Sequence, residues 1–331
     1  MNVLLLQVAH WHFERYYLPT IAASDVNVVA VSDGDVRTRL RIASRCGCRA
    51  HADWRDAIDT PGADFAFVFG PHAEMPAIGA ALVARGIPFA IEKPAGTTVR
   101  DVSALHAAAE AKGVFASVAF AYRTSELLGQ LQAHFGPGSP PGYISVRNLA
   151  GPPSRYLANG NPWMLSRQLA GGGCTMNVGI HFIDLVRVLT GQEIVGIQAK
   201  LGRMLFDTEV EDYSTMILTL ADGCVATIET GYTFPAAISE AQEFSLSVAS
   251  RDHHLRSVDE SFRLYHRATG NWTDIPIRRD ERMYARYIER TLDDVRNGRP
   301  PIASLADAVA ALDVVERAYA ADHDARLAVE S

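Results

Sequence analysis

The chain has 331 residues, a net charge of −7 at pH 7, 48% apolar and 21% charged residues. That length exceeds one ordinary core and predicts two domains, and the acidic balance, with no polybasic run interleaved with aromatics, excludes a nucleic-acid surface. No stretch approaches the roughly 18 uninterrupted apolar residues of a membrane span, and Cys46, Cys48, Cys174 and Cys224 form neither a disulfide framework nor a metal-spaced set, so no membrane, no metal and reduced thiols are expected.

Met1–Ala9 is apolar but lacks a basic start and a small-residue cleavage site. It reads as a first strand rather than a secretion signal, and a soluble, cytoplasmic protein is expected. An apolar run at Val3–Val8, helical spacing over Phe13–Ala23 and a second run at Val26–Ser32 predict a β-α-β unit. The alternation continues with a helix over Arg37–Cys46, a strand over Phe65–Phe69 and a helix over Ala73–Arg85. A strand over Pro88–Glu92, a helix over Val99–Lys112 and a strand over Val114–Ala119 complete it. Strands alternating with helices predict an α/β domain, residues 1–119, whose doubly wound parallel sheet meets its ligands at the carboxyl ends of its strands.

Beyond Ala119 the pattern changes. A turn cluster at Gly136–Gly142 precedes a strand at Tyr143–Leu149 and a loop rich in Pro, Gly and Asn up to Pro162. A helix over Met176–Leu189 follows, then alternating runs at Ile194–Met204, Tyr213–Leu220, Cys224–Thr230 and Phe244–Ala249. Strands without helices between them predict an open, largely antiparallel sheet in a second domain, residues 120–331. The chain closes on helices over Tyr284–Asn297 and Leu305–His323, the latter opened by Ser304 with Asp307 three residues on, a capping-box arrangement.

Four local features carry chemistry: the first β-α turn, Asp33 at the end of the second strand, the Glu92-Lys93-Pro94 tripeptide at a later strand end, and the segment from Gly171-Gly172-Gly173 through His181 to Asp184. With Gly70-Pro71-His72 and the Pro301-Ile302-Ala303-Ser304 lead into the last helix, their order resembles the glucose-fructose oxidoreductase, inositol dehydrogenase and MocA (Gfo/Idh/MocA) family over almost the whole chain. The resemblance implies a Rossmann domain, an α/β substrate domain, NAD or NADP, a sugar, cyclitol or sugar-like substrate, and a homodimer or homotetramer. On it, Ala9, His10, Trp11, His12, Asp33, Gly70, Pro71, His72, Glu92 and Lys93 are the expected cofactor contacts.

The first turn departs from the pattern. Gln7, Ala9 and His12 stand where G-x-G-x-x-G has its glycines, which serve the tight turn, the approach of the pyrophosphate and helix packing. Gln7 and His12 therefore require a different turn geometry. Asp33 offers a carboxylate to the adenosine ribose and repels a 2′-phosphate, favouring NAD over NADP; the alternative is an ordinary turn aspartate in Asp33-Gly34-Asp35. Arg37 and Arg39 are the residues that would meet a 2′-phosphate instead.

Lys93 sits where an ammonium stabilises developing alkoxide charge, and the resemblance makes it a catalytic residue. Asn177, His181 and Asp184 share one face of a helix by their spacing. His181, with an ordinary pKa of roughly 6.5, is the acid/base candidate. Asn177 stands where the family usually has aspartate, which leaves the site one negative charge poorer and better suited to an anionic substrate. Tyr122, Arg123, Asn161, Trp163, Asp184, Tyr232 and Phe234 fall in segments that border the substrate cleft in such a fold, Arg123 as a bidentate grip for an anion and Asp184 equally as a structural partner. The reading is an NAD-dependent oxidoreductase acting on a CH–OH carbon. Its rivals are a redox-assisted lyase or hydrolase holding NAD tightly, and a non-catalytic ligand-binding homologue that has lost the cofactor.

Overall fold

A computed structural model describes residues 1–235, 242–258, 261–275, 280 and 282–330, with side chains through 325. The chain divides into two compact units: Met1–Ala121 with Tyr156–Gly171 and Tyr284–Ala310, and Tyr122–Arg155 with Gly172–Met283 and Ala311–Ser331.

The first unit is built on a parallel sheet of β1 (Asn2–Leu6), β2 (Asn27–Ser32), β3 (Arg49–His51), β4 (Phe65–Val68), β5 (Phe89–Ile91) and β6 (Ala116–Val118), in the order β3-β2-β1-β4-β5-β6. Strands β4 and β5 are buried at every position and β1 at all but its first. Both faces are covered, so these strands read as unbroken apolar runs. The strand order reverses direction between β1 and β4, and a ligand crevice opens at the carboxyl ends there. Strand β3, Arg-Ala-His, and the short helix Trp54–Ile58 carry no apolar periodicity, and the sequence did not predict them.

Local chemistry sets the helix starts. Asp35 Oδ1 accepts the Thr38 N–H (2.7 Å) ahead of Val36–Cys46, and Thr98 Oγ1 accepts the Asp101 N–H (3.2 Å) ahead of Val99–Lys112. The expected capping box is present: the Ser304 N–H donates to Asp307 Oδ2 (2.8 Å) and the Asp307 N–H to Ser304 Oγ (3.2 Å). The first helix differs from its prediction. It opens as a π-helical turn, Phe13–Tyr17, before the α-helix Leu18–Ala23.

The second unit carries an eight-stranded sheet of β7 (Tyr143–Leu149), β8 (Ile194–Gly202), β9 (Tyr213–Leu220), β10 (Val225–Gly231), β11 (Glu243–Ala249), β12 (His253–Val258), β13 (Ser261–His266) and β14 (Asn271–Ile275). The order is β14-β13-β12-β11-β7-β10-β9-β8, with every pairing antiparallel except β7–β10. Alternate residues of β9 and β10 are buried, the period of two that made them legible. Strands β12 to β14 were not predicted; their His, Arg, Ser and Asn content masks the pleat. The stretch read as loop before Pro162 holds a short helix at Ser154–Ala158. Among the described residues no helix is long and apolar enough to cross a membrane.

The turn after β1 depends on one close approach. Gln7 has φ 58° and Gly70 φ 86°, and a Cβ on Gly70 would lie 2.6 Å from that of Gln7. Gly70→Ala therefore combines left-handed strain with a backbone-level clash, and should lower unfolding stability by about 1–3 kcal/mol. An unchanged urea midpoint would show that this loop shifts at no cost.

Candidate active site

In the first unit, the Glu92-Lys93-Pro94 tripeptide leaves β5 as a tight turn. The Glu92 N–H donates to Val68 O (2.9 Å), the Ala95 N–H donates back to Glu92 O (2.9 Å), the Lys93–Pro94 peptide is cis, and Ala95 has φ 69°. Glu92 and Lys93 are 2% and 1% exposed. Burial pushes the Lys93 ammonium down to about 8 against the opposing pull of the Glu92 charge. Neither Glu92 carboxylate oxygen meets hydrogen-bond geometry with any described residue.

Residues of the loop after β4 and of the first turn gather around the pair. The His72 Nδ1–H donates to Ala170 O (2.8 Å), which leaves the lone pair on Nε2, buried and without a hydrogen-bond partner. His72 also meets the Trp163 ring edge-on at 5.1 Å, and His10 lies 6.0 Å from the same ring. Desolvation pushes both His10 and His72 down to about 3, so both imidazoles are neutral near pH 7. His12 packs 3.8 Å from Trp11 and 4.9 Å from Tyr284, while Trp11 meets Tyr156 edge-on at 6.3 Å. The Asn161 side-chain amide donates to Ala9 O (3.3 Å). Asn161 and Trp163, read from sequence as cleft residues of the second domain, thus belong to the first unit.

The turn's own amides are engaged internally. The Gln7 N–H donates to Ser32 O, the Ala9 N–H to Asp33 Oδ2 (2.6 Å), the His10 N–H to Val8 O, the His12 N–H to His10 Nδ1 (3.3 Å) and the Phe13 N–H to His10 O. Asp33 Oδ1 also accepts the Asp35 N–H (2.8 Å), and burial raises the carboxyl pKa against these two bonds. Asp33 is thus a staple of the turn, and only its second lone pairs could reach a ribose hydroxyl. At the nicotinamide end the donor set fits a polar ligand: Glu92 Oε1 and Oε2, His72 Nε2, Asn161 Oδ1 and Trp163 Nε1 are all buried without hydrogen-bond partners. At the pyrophosphate end it does not fit in the glycine-turn manner, because the N–H groups named above are occupied and His10 and His12 fill the space glycine would leave.

In the second unit, Asn177 lies in a π-helical turn, Thr175–Gly179, that runs into the α-helix Ile180–Thr190 bearing His181 and Asp184. Such turns recur at functional sites. His181 is 8% exposed and meets the Tyr122 ring edge-on at 5.5 Å. Asp184 is fully buried and accepts from Arg123 Nε (2.9 Å) and Nη2 (2.6 Å), so Arg123, read as an anion grip, is joined to Asp184, read equally as a structural partner. Tyr232 is 1% exposed, with the Arg155 guanidinium 5.2 Å from its ring centre.

Sequence reasoning missed Glu211. Its carboxylate accepts the Gly173 N–H (2.8 Å), the Thr175 N–H (3.0 Å) and the Tyr319 hydroxyl (2.8 Å), anchoring the glycine run from which the His181 helix starts. A Cβ on Gly173 would stand 2.0 Å from Glu211 O, which explains that glycine. The signal available was the acidic pair Glu211-Asp212 directly ahead of β9. Tyr17 was missed as well; its phenol, held protonated by burial and by the Glu92 charge, belongs to the surroundings of the tripeptide.

Residues 11–120 match the family profile described as "Oxidoreductase family, NAD-binding Rossmann fold", and residues 143–248 match that of the "GFO/IDH/MocA C-terminal domain". The chain belongs to the Gfo/Idh/MocA family of oxidoreductases, and its first unit is that family's NAD-binding Rossmann fold. It is similar to the rhizopine catabolism protein MocA of Rhizobium meliloti, 25% identical over 89% of this chain and 87% of that one. UDP-N-acetylglucosamine 3-dehydrogenase of Acidithiobacillus ferrooxidans is 25% identical over 97% of this chain and 95% of its own. Among solved structures, an oxidoreductase from Agrobacterium radiobacter in complex with NAD+, L-tartaric acid and magnesium superposes with a TM-score of 0.86 at 16% identity, covering 98% of this chain and 97% of that one.

Two outcomes follow from the site. Removing Arg123 leaves the Asp184 carboxylate buried without its counter-charge, so Arg123→Ala should cost about 3–5 kcal/mol of stability; a loss within experimental error in denaturant melts would show that water reaches Asp184. His10 and His72 resist protonation in the folded state and accept it in the unfolded one. Their contribution is full above about 6.5 and is lost as pH falls toward 3. Stability should therefore drop less steeply between pH 7 and pH 4 in His72→Gln than in the parent, and parallel slopes would exclude His72 from that loss.

Proposed function

We propose that this oxidoreductase is an NAD-dependent dehydrogenase or reductase of a sugar, cyclitol or related hydroxy compound, using Lys93 as electrostatic stabiliser and His181 as acid/base. The observation that carries the reading is Lys93: a lysine buried beside Glu92 at the carboxyl end of β5, in the crevice of a dinucleotide-binding sheet, with its ammonium brought down to about 8. Structural lysines keep their charge in water; one held at this depth is positioned for a reacting oxygen.

NAD, when bound, supplies the hydride acceptor or donor. Lys93 in its charged form donates a hydrogen bond to the substrate oxygen and favours the alkoxide over the alcohol. His181 takes the hydroxyl proton in oxidation and returns it in reduction. Glu92 holds Lys93 charged at neutral pH and, with Asn161 and His72, offers hydrogen-bonding atoms to the nicotinamide half of the cofactor. Asp33 puts a fixed carboxylate where a 2′-phosphate would have to sit, which supports NAD over NADP. Asn177 brings no charge to the His181 helix, and a substrate bearing a carboxylate is repelled less than it would be by an aspartate there. The relative named as a UDP-N-acetylglucosamine 3-dehydrogenase supports the substrate class.

The test is a turnover screen of hydroxylated sugars, cyclitols and hydroxy acids with NAD+, alongside NADH binding by fluorescence. Lys93→Met should reduce kcat by about 10²-fold or more while NADH binding stays close to that of the parent. Because the charged ammonium is the active form, kcat for oxidation should fall as pH rises through about 8, and Lys93→Arg should move that fall upward. Near-normal turnover of Lys93→Met on the best substrate would overturn the role.

A further inference from the structure

We propose that His10, His12 and Glu92 form a binding site for a divalent metal ion of the zinc class. The inference shares Glu92 with the cofactor reading but does not rest on it, and its test reads metal binding without nucleotide or turnover.

Each of the three residues offers one ligand atom, and these atoms lie within 4.8 Å of one another, all on buried side chains. Ligand atoms around a tetrahedral zinc stand roughly 3.4 Å apart, each about 2.0–2.2 Å from the ion. Side-chain rotations that draw the atoms together by about an ångström would close the set around an ion. One edge is nearly there, with His12 Nδ1 3.9 Å from Glu92 Oε1. Two imidazole nitrogens and one carboxylate oxygen form a borderline donor set, suited to zinc or iron(II) rather than to calcium or magnesium, which prefer all-oxygen sites. Three protein ligands also leave a fourth position for an outside ligand.

A second observation is independent of this spacing. The Glu92 carboxylate is 2% exposed, yet neither oxygen has a partner in hydrogen-bond geometry. The Tyr17 hydroxyl borders the carboxylate and interacts with it, short of full hydrogen-bond geometry. Native structures rarely leave a buried carboxylate so poorly satisfied, and an ion is one of the few partners that repays its desolvation. The other groups facing the site are Lys93, His72, Tyr17 and Tyr284. Of these only Lys93 opposes a cation by charge, and Glu92, the ligand beside it, offsets that charge. Metal binding through His10 Nδ1 would exchange its long 3.3 Å contact with the His12 N–H.

The test uses the whole chain, stripped with a chelator, then titrated with Zn2+ alone against a chromophoric competitor, with Co2+ absorption as a second probe. The result expected is one saturable equivalent per chain with the ligand-field bands of nitrogen and oxygen ligation. Cys46 and Cys48 neighbour one another in sequence, so the titration is repeated on a Cys46→Ser, Cys48→Ser variant, which should retain the equivalent. Glu92→Gln and His12→Gln should each weaken binding at least tenfold, with circular dichroism reporting that they fold; should either fail to fold, His10→Gln serves as the ligand knockout. No saturable equivalent in the parent, its loss in the cysteine variant, or unchanged affinity in folded ligand knockouts would each overturn the proposal.

Discussion

A chain that turns sharply out of a parallel strand without a glycine still has to place one residue at positive φ. Here Gln7 does so, at 58°, and much of the first unit's crevice follows from that substitution. A side chain at Gln7 leaves no room for a Cβ at the facing position, which Gly70 satisfies. Histidine at the third glycine position packs against Trp11 and Tyr284, and the helix that follows it opens as a π-helical turn. The amides that a glycine turn presents to a ligand are consumed in closing this one, with Asp33 taking that of Ala9. A conserved architecture has been kept while the chemistry at its first turn has been rebuilt from side chains.

The second unit solves a comparable problem by different means. Three consecutive glycines at the start of a helix are entropically unfavourable, and the chain anchors the last of them, Gly173, by bringing a buried carboxylate to its N–H. Glu211 accepts from Gly173 and Thr175, and Tyr319 fixes its remaining oxygen direction. Further along the same helix Asp184 is locked to Arg123 through two bonds. Between these two anchors the backbone of the π-helical turn and the helix sets the positions of Asn177 and His181, and the Tyr122 ring packs against His181. That arrangement suits an acid/base group, which works only when its ring is held in a fixed orientation.

The alternation of apolar runs and helices was legible because β1, β4 and β5 are buried on both faces, and the capping residue Ser304 declared its helix. Strand β3 was not, because three residues of mixed polarity in Arg49–His51 contain no period. Strands β12 to β14 were hidden by polar side chains such as His253, Arg256 and Arg263 on a sheet that one face leaves half exposed. At the site, Lys93 and His181 were visible as residue types in a recognisable order. What could not be read was which polar group satisfies which. Arg123 looked like a ligand grip until its partner, 61 positions away, was seen to be Asp184. Asn161 and Trp163 fall by number among residues of the second unit, yet the chain returns to the first unit between Tyr156 and Gly171. Sequence distance carries no information about either event.

Charge balance in the first unit adds a constraint on any dinucleotide it binds. Glu92 and Lys93 offset one another, His10 and His72 are uncharged near neutral pH, and the Asp33 carboxylate is already met by two N–H groups. A phosphate arriving at the turn could gain the Ala9 N–H only by displacing Asp33, and a buried carboxylate stripped of that bond loses roughly the 1.5–3 kcal/mol that a hydrogen bond to a charged group contributes. The exchange gains little, since one anion replaces another on the same donor. Affinity would therefore have to come from the other end, where Glu92, His72, Asn161 and Trp163 present buried polar atoms with no partner inside the protein. A carboxamide and a ribose, rich in both donors and acceptors, match that set better than a phosphate does.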